Sequence, residues 1–126
     1  MNAIERLKNV FAGTDNEKLL NRYSQDIDYL VSELEGRQIE VPEIYFLPFW
    51  NHVLQMKQRL ENGSPISEDG MEFPSGISEE NISFAEELIR HFNGSSSLEG
   101  VKGEVGLLSL YLNLFTNGYS EEEGSD

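Results

Sequence analysis

The 126-residue chain carries 23 acidic residues against 9 lysines and arginines, a net charge of −14. Such a field repels phosphate backbones and argues against direct nucleic-acid binding. The chain has no cysteine, which removes disulfide frameworks, thiolate metal sites and cysteine nucleophiles together.

At 38% hydrophobic and 10% aromatic residues, there is enough apolar material for one core at this length. No stretch approaches the roughly 20 apolar residues of a membrane span. The opening residues MNAIERLKNVF include a glutamate and lack a long apolar run, so no secretory signal is expected and a cytoplasmic location is the default.

In chain order, Ile4, Leu7 and Phe11 stand at helical spacing and are closed by Gly13. Thr14 followed three residues later by Glu17 reads as a capping box. It opens a helix with Leu19, Tyr23, Ile27, Leu30 and Leu34 on one stripe, ended by Gly36. After the connector RQIEVPEI comes an aromatic-rich helix around FLPFWNHVLQMKQRL. Pro42 or Pro48 is expected in its first turn, where a missing N–H costs little, and Gly63 ends it.

Residues 63–77, GSPISEDGMEFPSGI, read as a long loop. Ser78 then caps a helix with Ile82, Ala85, Ile89 and Phe92 on one face, closed by Asn93 and Gly94. The last helix, 102–117, has apolar residues in nearly every direction and is expected to be the most enclosed. The expected fold class is therefore all-α, a compact helical bundle. A short N-terminal helix occupies 1–13, the main helical domain 14–118, and an acidic flexible tail 119–126.

Chemistry-bearing residues are few. On a helical wheel, Phe49, Val53, Met56 and Leu60 form the apolar stripe of the middle helix, widened by Trp50 and Leu54. His52 falls at the margin of that arc, and Arg59, seven positions on, lies almost directly above it. A histidine so placed suits a phosphoryl acceptor, since neutral imidazole is nucleophilic near pH 7 and a guanidinium can hold the incoming anion. The same placement suits a rim histidine that hydrogen-bonds a neighbouring helix.

His91, in ELIRHF, sits near a helix C-terminus, where a cation meets the negative end of the dipole. With two histidines in separate helices and no cysteine, a metal site is not expected. There is no Gly-rich phosphate loop and no nucleophile elbow, and no carboxylates stand paired as acid and base. Neither enzyme activity nor a cofactor is expected.

Two stretches resemble a known family. NHVLQMKQR resembles the first histidine motif of the phosphotransferase-system regulation domain (PRD), a histidine preceded by a short polar residue and followed seven residues later by arginine. EVGLLSLYLNLF resembles that domain's second motif, represented here by Glu104, Val105, Gly106, Leu110 and Tyr111. His52 and Tyr111 are 111 − 52 = 59 residues apart, the interval expected between the two family histidines. The similarity covers residues 15–117.

The resemblance implies a bundle of about five helices, found in bacterial antiterminators and activators of sugar-utilisation operons and so in transcription regulation. It implies phosphorylation by the general phosphocarrier protein or by sugar-specific transport components, and a homodimer whose packing shifts with the phosphate. His52 matches the first phosphoacceptor and Arg59 the arginine after it. The departures are that Tyr111 replaces the second histidine and that Asn51 stands where the family often has aspartate. The loop 63–77 also stands in place of a helix-forming stretch.

Two readings follow. One is a single PRD-like regulatory module of a sugar phosphotransferase system, acting through protein–protein contact and controlled by phosphohistidine at His52, with Arg59, Asn51 and Tyr111 as pocket neighbours. The other is a degenerate PRD fold serving as a non-phosphorylated helical interaction or scaffold protein. Neither involves nucleic acid or membrane.

Overall fold

Asparagine at position 2 starts the first helix. In the computed structural model, which describes residues 2–66 and 76–118, its Oδ1 accepts from the Glu5 N–H at 2.9 Å, and the Glu5 carboxylate accepts from the Asn2 N–H at 3.3 Å. This reciprocal capping box opens α1, Ala3–Phe11. Around Thr14 and Glu17, where the sequence led us to expect such a box, the pairing is different. Thr14 Oγ1 accepts from the Asn16 N–H at 3.2 Å, but Glu17 Oε1 accepts from Gly13 N–H at 3.0 Å. The Thr14 N–H is already bonded to the Phe11 carbonyl, so the carboxylate takes the next donor back. Gly13 sits at φ +80, a left-handed conformation that glycine adopts without a Cβ penalty.

The expected helix from Thr14 to Gly36 is two helices, α2 Asp15–Arg22 and α3 Ser24–Gly36. They meet at Tyr23, with φ −106 and ψ 25. Asn21, Tyr23 and Ser24 are weaker helix formers clustered at that point. The hydrogen-bond ladder bridges the break, because Tyr23 N–H reaches Leu19 O and Ile27 N–H reaches Tyr23 O. The buried stripe is Leu20, Tyr23, Ile27, Leu30 and Leu34, so Leu20 rather than Leu19 opens it.

Beyond α3 the chain turns at Gln38, φ 60, and Ile39 N–H bonds back to Leu34 O at 2.9 Å. That is the Schellman pattern, with glutamine at the position glycine usually takes. Gly36 is the last helical residue rather than the turn.

The fourth helix, α4, spans Glu43–Glu61. Pro42 precedes it and accepts the first bond, from Tyr45 N–H. Pro48 lies inside the helix rather than in its first turn. The carbonyl it leaves without an N–H belongs to Ile44, an exposed residue. Phe46, Phe49, Trp50, Val53, Leu54, Met56 and Leu60 are buried. Trp50 meets Phe49 and Phe46 edge-on, at 5.1 and 6.5 Å between ring centroids.

Residue contacts fall into two units, Met1–Gln58 and Arg59–Asp126. In the first, α1, α2 and α3 pack on one another. Arg6 of α1 pairs with Glu43 and stacks 3.9 Å over the Phe46 ring. Lys57 pairs with Asp26 at 3.3 Å and lies 5.6 Å from the Tyr23 ring.

In the second unit, α5 runs Glu79–Asn93 and α6 Lys102–Asn113, followed by a π-helical turn, Leu114–Gly118. Ser78 caps α5 as expected, accepting from Asn81 N–H, and Gly94 closes it at φ +67. The face buried is Asn81, Phe84, Ala85, Leu88, Ile89 and Phe92, and it packs along α6. Seven of the twelve α6 residues are buried, a larger share than in any other described α-helix, as its all-round apolar pattern leads one to expect. Asn81 satisfies its amide by donating to Asn113 Oδ1 at 3.1 Å and Thr116 Oγ1 at 2.9 Å, which ties α5 to the π turn.

The protein is thus all-α, with six α-helices among the described residues where the family resemblance implies about five. No described helix is long and apolar enough to cross a membrane. Residues 63–66 and 76–77 are irregular. The rest of the expected loop, 67–75, and the expected tail, 119–126, lie outside the described residues.

Candidate functional site

The four residues singled out in the sequence fall in both units: Asn51 and His52 in the first, Arg59 and Tyr111 in the second. His52 is buried, with 9% of its surface exposed. Asn51, its neighbour, is exposed, and its Oδ1 accepts from Asn16 Nδ2 at 2.7 Å. Asn16 Oδ1 in turn accepts from Gln55 Nε2 at 3.2 Å. This amide chain fastens one side of α4 to the start of α2. Asn51 therefore has a neutral, structural set of partners.

Arg59 is the better-defined case. Its Nε donates to Glu104 Oε2 at 2.7 Å and its Nη2 donates to Oε1 at 2.8 Å, a bidentate fork on a carboxylate of matching geometry. Glu104 is fully buried at 0% exposure. Its Oε2 also accepts from the Ile66 N–H at 2.9 Å, so three donors converge on one anion. The bond to Glu104 raises the Arg59 pKa above its already high ordinary value, against the opposing effect of burial. Arg59 is thus a fixed cation, held against the carboxylate of α6.

A lone glutamate in the otherwise apolar EVGLLSLYLNLF was the signal for this pair, because a carboxylate on an all-round buried helix requires a cation. In the sequence, Arg59 suggests a holder for an incoming phosphate, and Glu104 enters only as the acidic residue of the second motif. Tyr111, in the last turn of α6, is half-buried, with its ring centroid 6.1 Å from that of Phe115. His91 lies in the last turn of α5, as its position in the sequence suggests, with its ring edge-on to Phe92. Among the described residues, no group of three His, Cys, Asp or Glu side chains converges as a metal site would require.

The remaining feature of the surface is apolar. The exposed large hydrophobic residues among those described are Val10, Ile44 and Leu47, at 39%, 70% and 49% exposure. All three belong to the first unit. Val10 and Leu47 line a cleft of about 390 Å³ together with Pro48 and Asn51. Ile44 stands three and four residues before Leu47 and Pro48 on α4, so the three share one helix face. Sequence reasoning missed this face, because Ile44 and Leu47 look like part of the continuous apolar run of α4. Pro48 was the available hint, since a proline inside a helix marks the side open to water. Set against protein-family models, curated proteins and solved structures, the chain matches none.

Proposed function

We propose that the chain is a non-catalytic helical interaction module that works through protein–protein contact. Its contact face is Val10, Ile44, Leu47 and Pro48. The observation that carries the reading is the gathering of the exposed large hydrophobics onto one face beside a cleft. Scattered exposed hydrophobics are ordinary, but a contiguous set beside a concavity marks an interaction surface. With a net charge of −14, the chain attracts a basic partner, one presenting aliphatic or aromatic anchors for the cleft.

This corresponds to the scaffold form of the PRD-like reading. Two observations favour it over the form controlled by phosphohistidine. His52 is buried, whereas a phosphoryl donor must reach the imidazole. Arg59 already spends its fork on Glu104, so holding a phosphate there would leave a fully buried carboxylate without its cation.

The test is calorimetric titration with a basic amphipathic helical peptide of lysine and leucine. Wild type should bind it, and Leu47→Glu and Ile44→Glu should each weaken binding roughly tenfold or more, the loss of one anchor. Equal binding by wild type and both variants would remove the contact face from the account.

A further inference from the structure

Asparagine followed by glycine occurs three times in the chain, at Asn62-Gly63, Asn93-Gly94 and Asn117-Gly118. The dipeptide is chemically labile, because a glycine nitrogen, with no Cβ beside it, approaches the preceding carboxamide without steric hindrance. The first two pairs close α4 and α5 in the same way. Gly63 and Gly94 stand at φ 71 and φ 67. The N–H of the residue after each returns to its helix, Ser64 to Arg59 O at 2.9 Å and Ser95 to Arg90 O at 3.2 Å.

The two pairs differ in how they are held. Asn93 is half-buried and is itself the last residue of α5, and the Gly94 N–H is shared between Arg90 O and His91 O. Asn62 is exposed and lies beyond Glu61, where α4 ends. Its turn is held instead by Glu104. That carboxylate takes the Arg59 fork three residues before the pair and the Ile66 N–H three residues after it. While both grips hold, the Gly63 N–H stays committed to Leu60 O. Attack by its nitrogen requires that bond to break and the backbone of residue 62 to rotate, which takes a local opening of the turn.

We propose that Asn62-Gly63 is a self-modification site gated by this Glu104 clamp. When the turn opens, hydroxide removes the Gly63 amide proton and the nitrogen attacks Asn62 Cγ. The Cγ–N bond of the carboxamide breaks, and its nitrogen leaves as ammonia with a proton from water. One water then opens the succinimide, leaving aspartate or isoaspartate at position 62. Either product puts a negative charge at the carbonyl end of α4, against the helix dipole. Isoaspartate also lengthens the backbone between residues 59 and 66, so the two grips no longer span it in register. The site is separate from the contact face and does not depend on it.

The full chain is incubated at mildly alkaline pH in heavy-oxygen water, and peptide maps follow Asn62 and Asn93 in the same samples. Succinimide hydrolysis should leave one heavy oxygen at position 62. In guanidinium chloride, where no clamp exists, both sites should convert fast. In the folded protein Asn62 should convert roughly tenfold more slowly than in denaturant, and Asn93 more slowly still.

Arg59→Met with Glu104→Leu removes both grips and should raise the ratio of Asn62 to Asn93 conversion about tenfold over wild type. Ile66→Pro removes only the N–H grip, keeps the ion pair, and should raise that ratio by a smaller factor. Simple destabilisation would instead bring the two rates together, as denaturant does. The proposal would be overturned by no conversion at Asn62 in the folded wild type, or by conversion there as fast as in denaturant. A ratio raised in neither variant would overturn it as well.

Discussion

Replacing Glu104 with glutamine keeps the shape of the side chain and removes its charge. In the native protein that carboxylate receives three hydrogen bonds, two from the Arg59 fork and one from Ile66 N–H. The amide has one acceptor oxygen, and its NH2 must face a donor, so at least one of the three bonds becomes a donor–donor conflict. Removing one partner of a buried ion pair costs about 3–5 kcal/mol. The Arg59 side chain keeps 29% of its surface in water, so its guanidinium can rehydrate and the low end applies, about 3 kcal/mol.

The converse change, Arg59→Met, strands a carboxylate with no exposure at all and should cost more, about 4–5 kcal/mol. The double variant Arg59→Met with Glu104→Leu leaves no buried charge and should be more stable than either single variant. Urea unfolding followed by circular dichroism measures all three. In a thermal scan, Glu104→Gln should lower Tm by about 10 °C for a chain of this size. In the double variant, where leucine at position 104 offers no acceptor, hydrogen exchange at Ile66 should quicken. Single-variant losses that simply add in the double variant would refute the coupling, and a neutral Glu104→Gln would refute the burial argument itself.

Three further outcomes are expected. Gln38→Gly should stabilise the protein by up to about 1 kcal/mol, because glycine relieves the left-handed φ of 60 while adding freedom to the unfolded chain; denaturant midpoints report it. Hydrogen bonding to Arg6 lowers the Glu43 pKa below the ordinary carboxylate value, so that pair's stabilisation is present above the unfolded pKa and fades as pH falls through the folded one. Carbon-detected NMR titration should show Glu43 returning to the ordinary range in Arg6→Gln. Incubated with phosphoenolpyruvate, the general phosphotransferase enzymes and the phosphocarrier protein, the chain should take no acid-labile label; a label on wild type that is absent from His52→Ala would restore the phosphoacceptor reading.

Most of the helices were legible because their signals are local. The Ser78 cap and the Gly94 stop of α5 are each set by one or two residues, and both occur where the sequence places them. The enclosure of α6 followed from its all-round apolar pattern. What escaped the sequence depended on competition between neighbours. Glu17 bonds Gly13 only because Phe11 has already taken the Thr14 amide. The left-handed turn falls on Gln38, two residues past the glycine that looked designed for it.

The candidate site shows the same division. The wheel placed His52 at the margin of the apolar arc of α4, yet its actual burial depends on tertiary packing that no wheel contains. Glu104 and Arg59 are 45 residues apart, and their pairing could be inferred only from the cost of burying a carboxylate alone. Exposed and buried hydrophobics of α4 are indistinguishable in FLPFW until the neighbouring helices are in place.

The central claim is that function resides in the Val10, Ile44, Leu47 and Pro48 face. It is tested most directly by mapping amide and methyl chemical shifts while the basic amphipathic peptide is added. The account predicts perturbations concentrated at Val10, Ile44, Leu47 and Asn51, lost in Leu47→Glu. Perturbations confined to α5 and α6, or a map in Leu47→Glu identical to that of wild type, would contradict it.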